Sequence, residues 1–234
     1  MSSRSRPSIS DPAEPLDLGG QPALATVPAG ARALLLCAHG AGAGMRHHFF
    51  VELATALAER DVATVRWDLP YMAAGRKRPD PPAICHRAVV SVAAAAAARW
   101  PTLARFAGGK SFGGRMTSQA AALGHDLGVR GLVFLGFPLH PAPSPGQVAT
   151  DPARADHLAR IALPMLLVQG SRDALADPRL MVPVVAGLGA RATFVEIAAA
   201  DHGFEVLVRS GRTGAEVMAE VATTVAAWML ARAG

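Results

Sequence analysis

Ser111 lies between Gly109 and Gly113 in the run F-A-G-G-K-S-F-G-G-R over residues 106–115. An apolar lead-in, a glycine-crowded turn and an alanine-rich stretch predict strand, sharp turn and helix, with the serine at the tip. This is the G-x-S-x-G pattern of a nucleophile elbow. A side chain presented by so tight a turn strains its own backbone. The residues two positions away must be small, because strand and helix backbones nearly touch there. The helix that follows points its N-terminus at the serine and favours negative charge developing beside it. Gly109-Lys110-Ser111 also ends like a phosphate-binding loop, but that motif requires glycine at position 104, where the chain has Ala104.

A serine hydroxyl needs a base within hydrogen-bond reach, and the base needs a carboxylate to hold its tautomer. Of the eight histidines, His157 and His202 lie well beyond the elbow helix and the next strand. His157 falls in a polar linker and is expected to be exposed. His202, in D-H-G-F after the last predicted strand, is the candidate base. The acid follows by elimination. Residues 131–150 contain no Asp or Glu, Glu196 lies inside a strand, and Asp201 adjoins the base and should point elsewhere. Asp173 and Asp177 remain in G-S-R-D-A-L-A-D-P. Asp173 is nearer the strand end and is the candidate acid, while Asp177 before Pro178 suits a helix N-cap. Two backbone N–H groups should stabilise an oxyanion: that of Phe112, directly after the serine, and that of Ala41 in the small-residue loop 39–44. That loop is not a dinucleotide fingerprint, because the sixth place of G-x-G-x-x-G lacks glycine. Lys110 is read as solvent-facing or paired with a nearby acid, His140 as a pocket or surface residue, and Asp68 and Tyr71 as shaping the rim.

These groups need a scaffold. Continuous apolar runs at 33–38 and 131–137 read as buried parallel strands, with further strands at 62–67, 164–169 and 192–197 and an earlier one at 22–27. Helical patterns alternate with them, over 84–100, 178–188 and 213–232 among others. The expected architecture is α/β, a mostly parallel sheet with helices on both faces. His39, Asp68, Ser111, Asp173 and His202 each fall just after a predicted strand, where function gathers in such sheets. A disordered tail is expected over residues 1–15 and one domain over 16–234. A Pro-rich linker at 138–152 is expected to border the pocket.

The 234 residues are 51% apolar and 18% charged, which predicts a packed globule. The net charge of +5 is scattered, and aromatics at 5% leave no basic, aromatic-laced face for nucleic acid. Cys37 and Cys85 have no metal or redox spacing. No metal or cofactor is expected, nor a membrane span or export signal, and the reducing cytoplasm is the expected location.

The stretches L-C-A-H-G-A-G-A-G-M, D-L-P-Y-M-A-A-G-R-K-R-P-D, G-G-K-S-F-G-G-R-M, G-L-V-F-L-G-F-P-L-H-P, Q-G-S-R-D-A-L, D-H-G-F and R-S-G-R-T span residues 35–213. Together they resemble the dienelactone-hydrolase-like α/β hydrolases. They are most similar to a branch of predicted hydrolases that includes a testis-expressed protein and a subunit of a chromatin acetyltransferase complex. The resemblance implies an α/β-hydrolase fold with little or no lid. It also implies Ser111 as nucleophile, Asp173 as acid and His202 as base. The expected activity is hydrolysis of an ester, thioester or similar acyl bond in a small molecule. A non-catalytic binding or scaffold protein and an acyltransferase are the alternatives. Oligomeric state is left open by the sequence.

Overall fold

The computed structural model describes residues 11–141 and 152–234. Eight strands form one sheet in the order β1-β2-β4-β3-β5-β6-β7-β8. They are β1 (Glu14–Asp17), β2 (Pro22–Thr26), β3 (Ala33–Ala38), β4 (Val62–Trp67), β5 (Ala104–Lys110), β6 (Leu132–Leu135), β7 (Met165–Gly170) and β8 (Ala192–Ile197). The strands from β3 onward pair in parallel, and β1 and β2 add an antiparallel edge. The expected tail overlaps this edge. Glu14 and Pro15 are in β1, paired with Ala25 and Leu24, so ordered structure begins before residue 16. Four residues of mixed polarity carry little strand signal by themselves; pairing with β2 supplies it. Residues 1–10, and most of the Pro-rich linker at 138–152, lie outside the described residues.

Among the described residues there are six α-helices: α1 (His48–Ala58), α2 (Pro70–Ala73), α3 (Pro82–Arg99), α4 (Phe112–Ala122), α5 (Pro178–Leu188) and α6 (Gly214–Leu230). β3 shows why both faces are covered. All six of its residues are buried. Strand alternation sends Leu34, Leu36 and Ala38 into one apolar cluster with α3 and α4 residues such as Val89, Val92 and Met116. Ala33, Leu35 and Cys37 enter a second cluster with Phe49, Phe50 and Leu53 of α1 and Val221, Val225 and Trp228 of α6. A strand apolar on both faces is the signature by which the sequence reveals the sheet's middle.

Chain direction across the sheet reverses at β3. The next strand, β4, lies on one side of it and β5 on the other. The connections leaving β3 and β5 therefore diverge, and a crevice opens between their carboxyl ends, the usual place for a ligand in an open α/β sheet. β3 ends at Ala38, before loop 39–44, and β5 ends at Lys110, before Ser111.

Candidate active site

Ser111 occupies the turn between β5 and α4 with φ 50° and ψ −112°. A non-glycine residue adopts such backbone angles only where its surroundings enforce them. Those surroundings are close backbone packing. A Cβ on Gly113 would lie 2.5 Å from the carbonyl oxygens of Ala38 and His39, and one on Gly109, at φ 146°, would lie 2.1 Å from that of Ala38. The elbow is thus pressed directly onto the end of β3, and the spacing of glycines in the sequence reflects that contact.

The three candidate residues come together. Ser111 Oγ lies 2.9 Å from His202 Nε2. His202 Nδ1 lies 2.7 Å from Asp173 Oδ2. With Nδ1–H donating to the carboxylate, Nε2 is left to accept the serine proton. Asp173 is buried, and its Oδ1 also accepts the N–H of Leu175 at 2.7 Å. The tight loop around His202 contains two residues in the left-handed region, Ala199 (φ 63°) and Phe204 (φ 62°). Asp201 caps this loop, accepting N–H bonds from Gly203 at 2.8 Å and Glu205 at 2.9 Å, and points away from the imidazole relay. Asp177 accepts the N–H of Arg179 at 2.8 Å as N-cap of α5, the role its place before Pro178 implies.

An open depression of about 460 Å³ lies over Ser111 and His202. Gly40, Ala41, His47, Phe49, Lys110 and Glu205 are among its walls. His48 and Glu205 face each other across it at 3.6 Å. Loop 39–44 abuts the elbow: a Cβ on Gly40 would sit 3.8 Å from Ser111 Cβ. The loop is held by Tyr71 and Asp68, neither of which lines the depression. Tyr71 donates its hydroxyl to the Ala41 carbonyl at 2.9 Å, and Asp68 accepts the N–H of Met45 at 2.8 Å. His39 is buried. Its Nδ1–H donates to the Gly40 carbonyl at 2.6 Å, and its Nε2 accepts the N–H of Leu69 at 3.0 Å. Burial pushes its pKa down, so it stays a neutral strut. His39 and Asp68 therefore share the rim with the relay but serve the loop.

A second serine–histidine pair lies under α4. Ser118 Oγ and His157 Nε2 are 2.7 Å apart, and both residues are buried. His157 was expected to be exposed; instead the 3-10 helix Ala153–Arg160 tucks it against α4. Ser118 donates its hydroxyl to the Arg115 carbonyl at 2.9 Å, which leaves the oxygen to accept His157 Nε2–H. Among the described residues no carboxylate hydrogen-bonds to His157, and Ser118 does not line the depression. This pair is internal packing.

Sequence reasoning missed Gln169. It is the penultimate residue of the otherwise apolar strand β7, is buried, accepts the N–H of Phe137 at 2.9 Å through Oε1, and donates Nε2–H to Asp173 Oδ2. Its signal was there: one polar residue in an otherwise apolar strand, four positions before the acid. His140 is buried, its Nδ1 2.8 Å from the Pro141 carbonyl, and it does not line the depression. Among the described residues no group of His, Cys, Asp and Glu could hold a metal ion, and no helix is long and apolar enough to cross a membrane.

The parallel sheet with its crossover helices, the strained serine turn and the histidine loop past the last strand define an α/β-hydrolase fold. The chain belongs to the alpha/beta hydrolase domain family, whose model matches residues 31–230. Among solved structures it is similar to dienelactone hydrolase from Anabaena variabilis, with 21% identity, 94% of this chain and 96% of that one covered, and a TM-score of 0.69. It is also similar to an α/β serine hydrolase without lid from Xanthomonas campestris, with 20% identity, coverage of 95% and 98%, and a TM-score of 0.67. Est1E from Butyrivibrio proteoclasticus matches at 17% identity, 94% and 99% coverage, and a TM-score of 0.66.

Proposed function

We propose that the protein is a serine hydrolase acting on an ester, thioester or related acyl bond of a small molecule. The observation that carries this reading is the continuous relay Ser111–His202–Asp173, with contacts of 2.9 and 2.7 Å, open to the depression. His202 Nε2 takes the hydroxyl proton as Ser111 Oγ attacks the acyl carbon, and Asp173 stabilises the resulting imidazolium. The proton passes to the leaving alcohol or thiol as its bond to carbon breaks. Water, deprotonated by the same imidazole, then releases the acid and restores the serine. The N–H groups of Phe112 and Ala41 are the proposed oxyanion donors. Phe112 opens α4, where first-turn N–H groups lack helical partners, and Ala41 lines the depression beside Ser111. Loss of one such donor typically costs about 10²–10³ in rate.

The sequence motifs further support membership in the branch that includes a testis-expressed protein and a chromatin acetyltransferase subunit. The buried, unpaired Cys37 and Cys85 support a reducing, cytoplasmic setting. The test is covalent capture by a fluorophosphonate probe, followed by locating the adduct. Label on Ser111 that disappears in Ser111→Ala is the expected result. Absence of label on the folded wild-type chain would instead favour a binding or scaffold role.

A further inference from the structure

Lys110 directly precedes the serine, and it is not simply a solvated strand-end lysine. Its Nζ donates a hydrogen bond to the main-chain carbonyl of His202. The ammonium lies 5.3 Å from the ring centroid of Phe49 and 5.1 Å from that of Phe204, and the two rings stack on each other at 5.7 Å. Phe49 of α1 and Phe204 of the loop after β8 thus form a stacked pair of rings beside the cation. Gly136 leaves the space: a Cβ there would sit 3.3 Å from Nζ and 3.4 Å from His202 Nδ1 and Cε1.

Enclosing an ammonium is costly. Burial pulls the Lys110 pKa down to about 8, with Asp173 and Asp201 opposing the shift. A methionine would fill the same space without that penalty, so packing does not explain a lysine here. The bond to His202 does. The loop carrying the base is tied to itself, through Phe204 N–H to Asp201 O, Asp201 N–H to Glu205 O and the Asp201 side-chain cap, and at residues 199 and 200 to Ser171 and Arg172 after β7. Lys110 joins that loop's backbone to the strand that presents the nucleophile.

We propose that Lys110 is a positioning residue that fixes the His202 imidazole against Ser111 by holding the His202 carbonyl. The proposal rests on the hydrolase reading above. It is tested with Lys110→Met and Lys110→Gln, alone and combined with His202→Ala. The readouts are the second-order rate of fluorophosphonate capture per folded molecule, and kcat and KM on a p-nitrophenyl ester. A displacement of the base by about 1 Å is worth up to roughly 100-fold. Lys110→Met should therefore lower capture and kcat about 10–100-fold with KM within about twofold, and Lys110→Gln, which keeps a donor, should lie between it and wild type. In the His202→Ala background the Lys110 substitutions should change the residual rate less than about twofold, because the group they act through is gone. Equal capture by folded Lys110→Met and wild type would overturn the proposal, as would a Lys110→Gln no better than Lys110→Met or an undiminished loss in the His202→Ala background. A wild-type chain that takes no label at all would bring down the hydrolase reading itself, a different and separately visible outcome.

Discussion

The side-chain amide of Gln169 and the imidazole of His202 converge on the same oxygen, Oδ2 of Asp173. The carboxylate is thereby fixed by the end of β7 as well as by the imidazole, and the amide's other end is occupied by Phe137 N–H. Gln169→Leu leaves a buried N–H without its acceptor and the carboxylate without one donor. Each such orphan costs about 1–3 kcal/mol. Urea unfolding should show a loss in that range, accompanied by a fall in kcat. Gln169→Glu, which places a second carboxylate beside the first, should be worse than Leu near neutral pH.

The relay predicts a graded series. Ser111→Ala should abolish probe capture. Asp173→Asn, which preserves shape but not the tautomer-holding charge, should lower ester hydrolysis about 10³–10⁴-fold, an order of magnitude taken from the serine-protease triad. Ser118→Ala should capture probe at the wild-type rate, because the Ser118–His157 pair is buried between α4 and the 3-10 helix 153–160 and does not line the depression. Intact-mass kinetics on the three variants checks the whole set.

Much of this was legible before any coordinates. The runs at 33–38, 62–67 and 192–197 are strands at those bounds; burial on both faces leaves 33–38 unbroken apolar, while 62–67 admits Thr64 and Arg66 and the half-buried 192–197 carries an exposed Glu196. Ser111, Asp173 and His202 could be picked out because each follows such a run. What stayed hidden depends on contacts distant in sequence. β1 is a strand because β2 lies beside it. His157 looks exposed in its own polar stretch until α4 covers it. Lys110 reads as solvent-facing or paired with a nearby acid because its partner is a main-chain carbonyl 92 residues away, which no side-chain pattern announces.

The elbow's glycines should tolerate no side chain. Gly113→Ala forces a methyl to within 2.5 Å of two carbonyl oxygens in the rigid end of β3. Relief requires backbone movement, with an expected loss of at least about 2–4 kcal/mol, read as a lowered Tm or insoluble expression. Gly124→Ala is the control for space alone. Its Cβ would meet nothing within 4 Å, and the remaining cost comes from its φ of 86°.

Acid should unfold the protein early, for a definite reason. Burial lowers the His157 pKa to about 4 from an ordinary 6.5. Between those values the unfolded chain binds a proton that the folded chain refuses, so stability falls as pH drops from about 6.5 toward 4. His39 and His86, also lowered by burial, act in the same direction. Replacing His157 with Gln, which can still donate to Ser118, should flatten the dependence of unfolding free energy on pH across that window. A slope unchanged from wild type would show that His157 contributes nothing to it.

The order in which the sheet is assembled along the chain has a consequence for reactivity. The hydroxyl at 111 arrives with the fifth strand, its carboxylate partner only after the seventh, and the imidazole after the eighth. A nascent or truncated chain that stops short of residue 202 therefore exposes an ordinary alcohol. Under the proposed hydrolase function, chemical competence would arise only once the C-terminal third has docked, and the same long-range closure that completes the sheet would also switch the serine on.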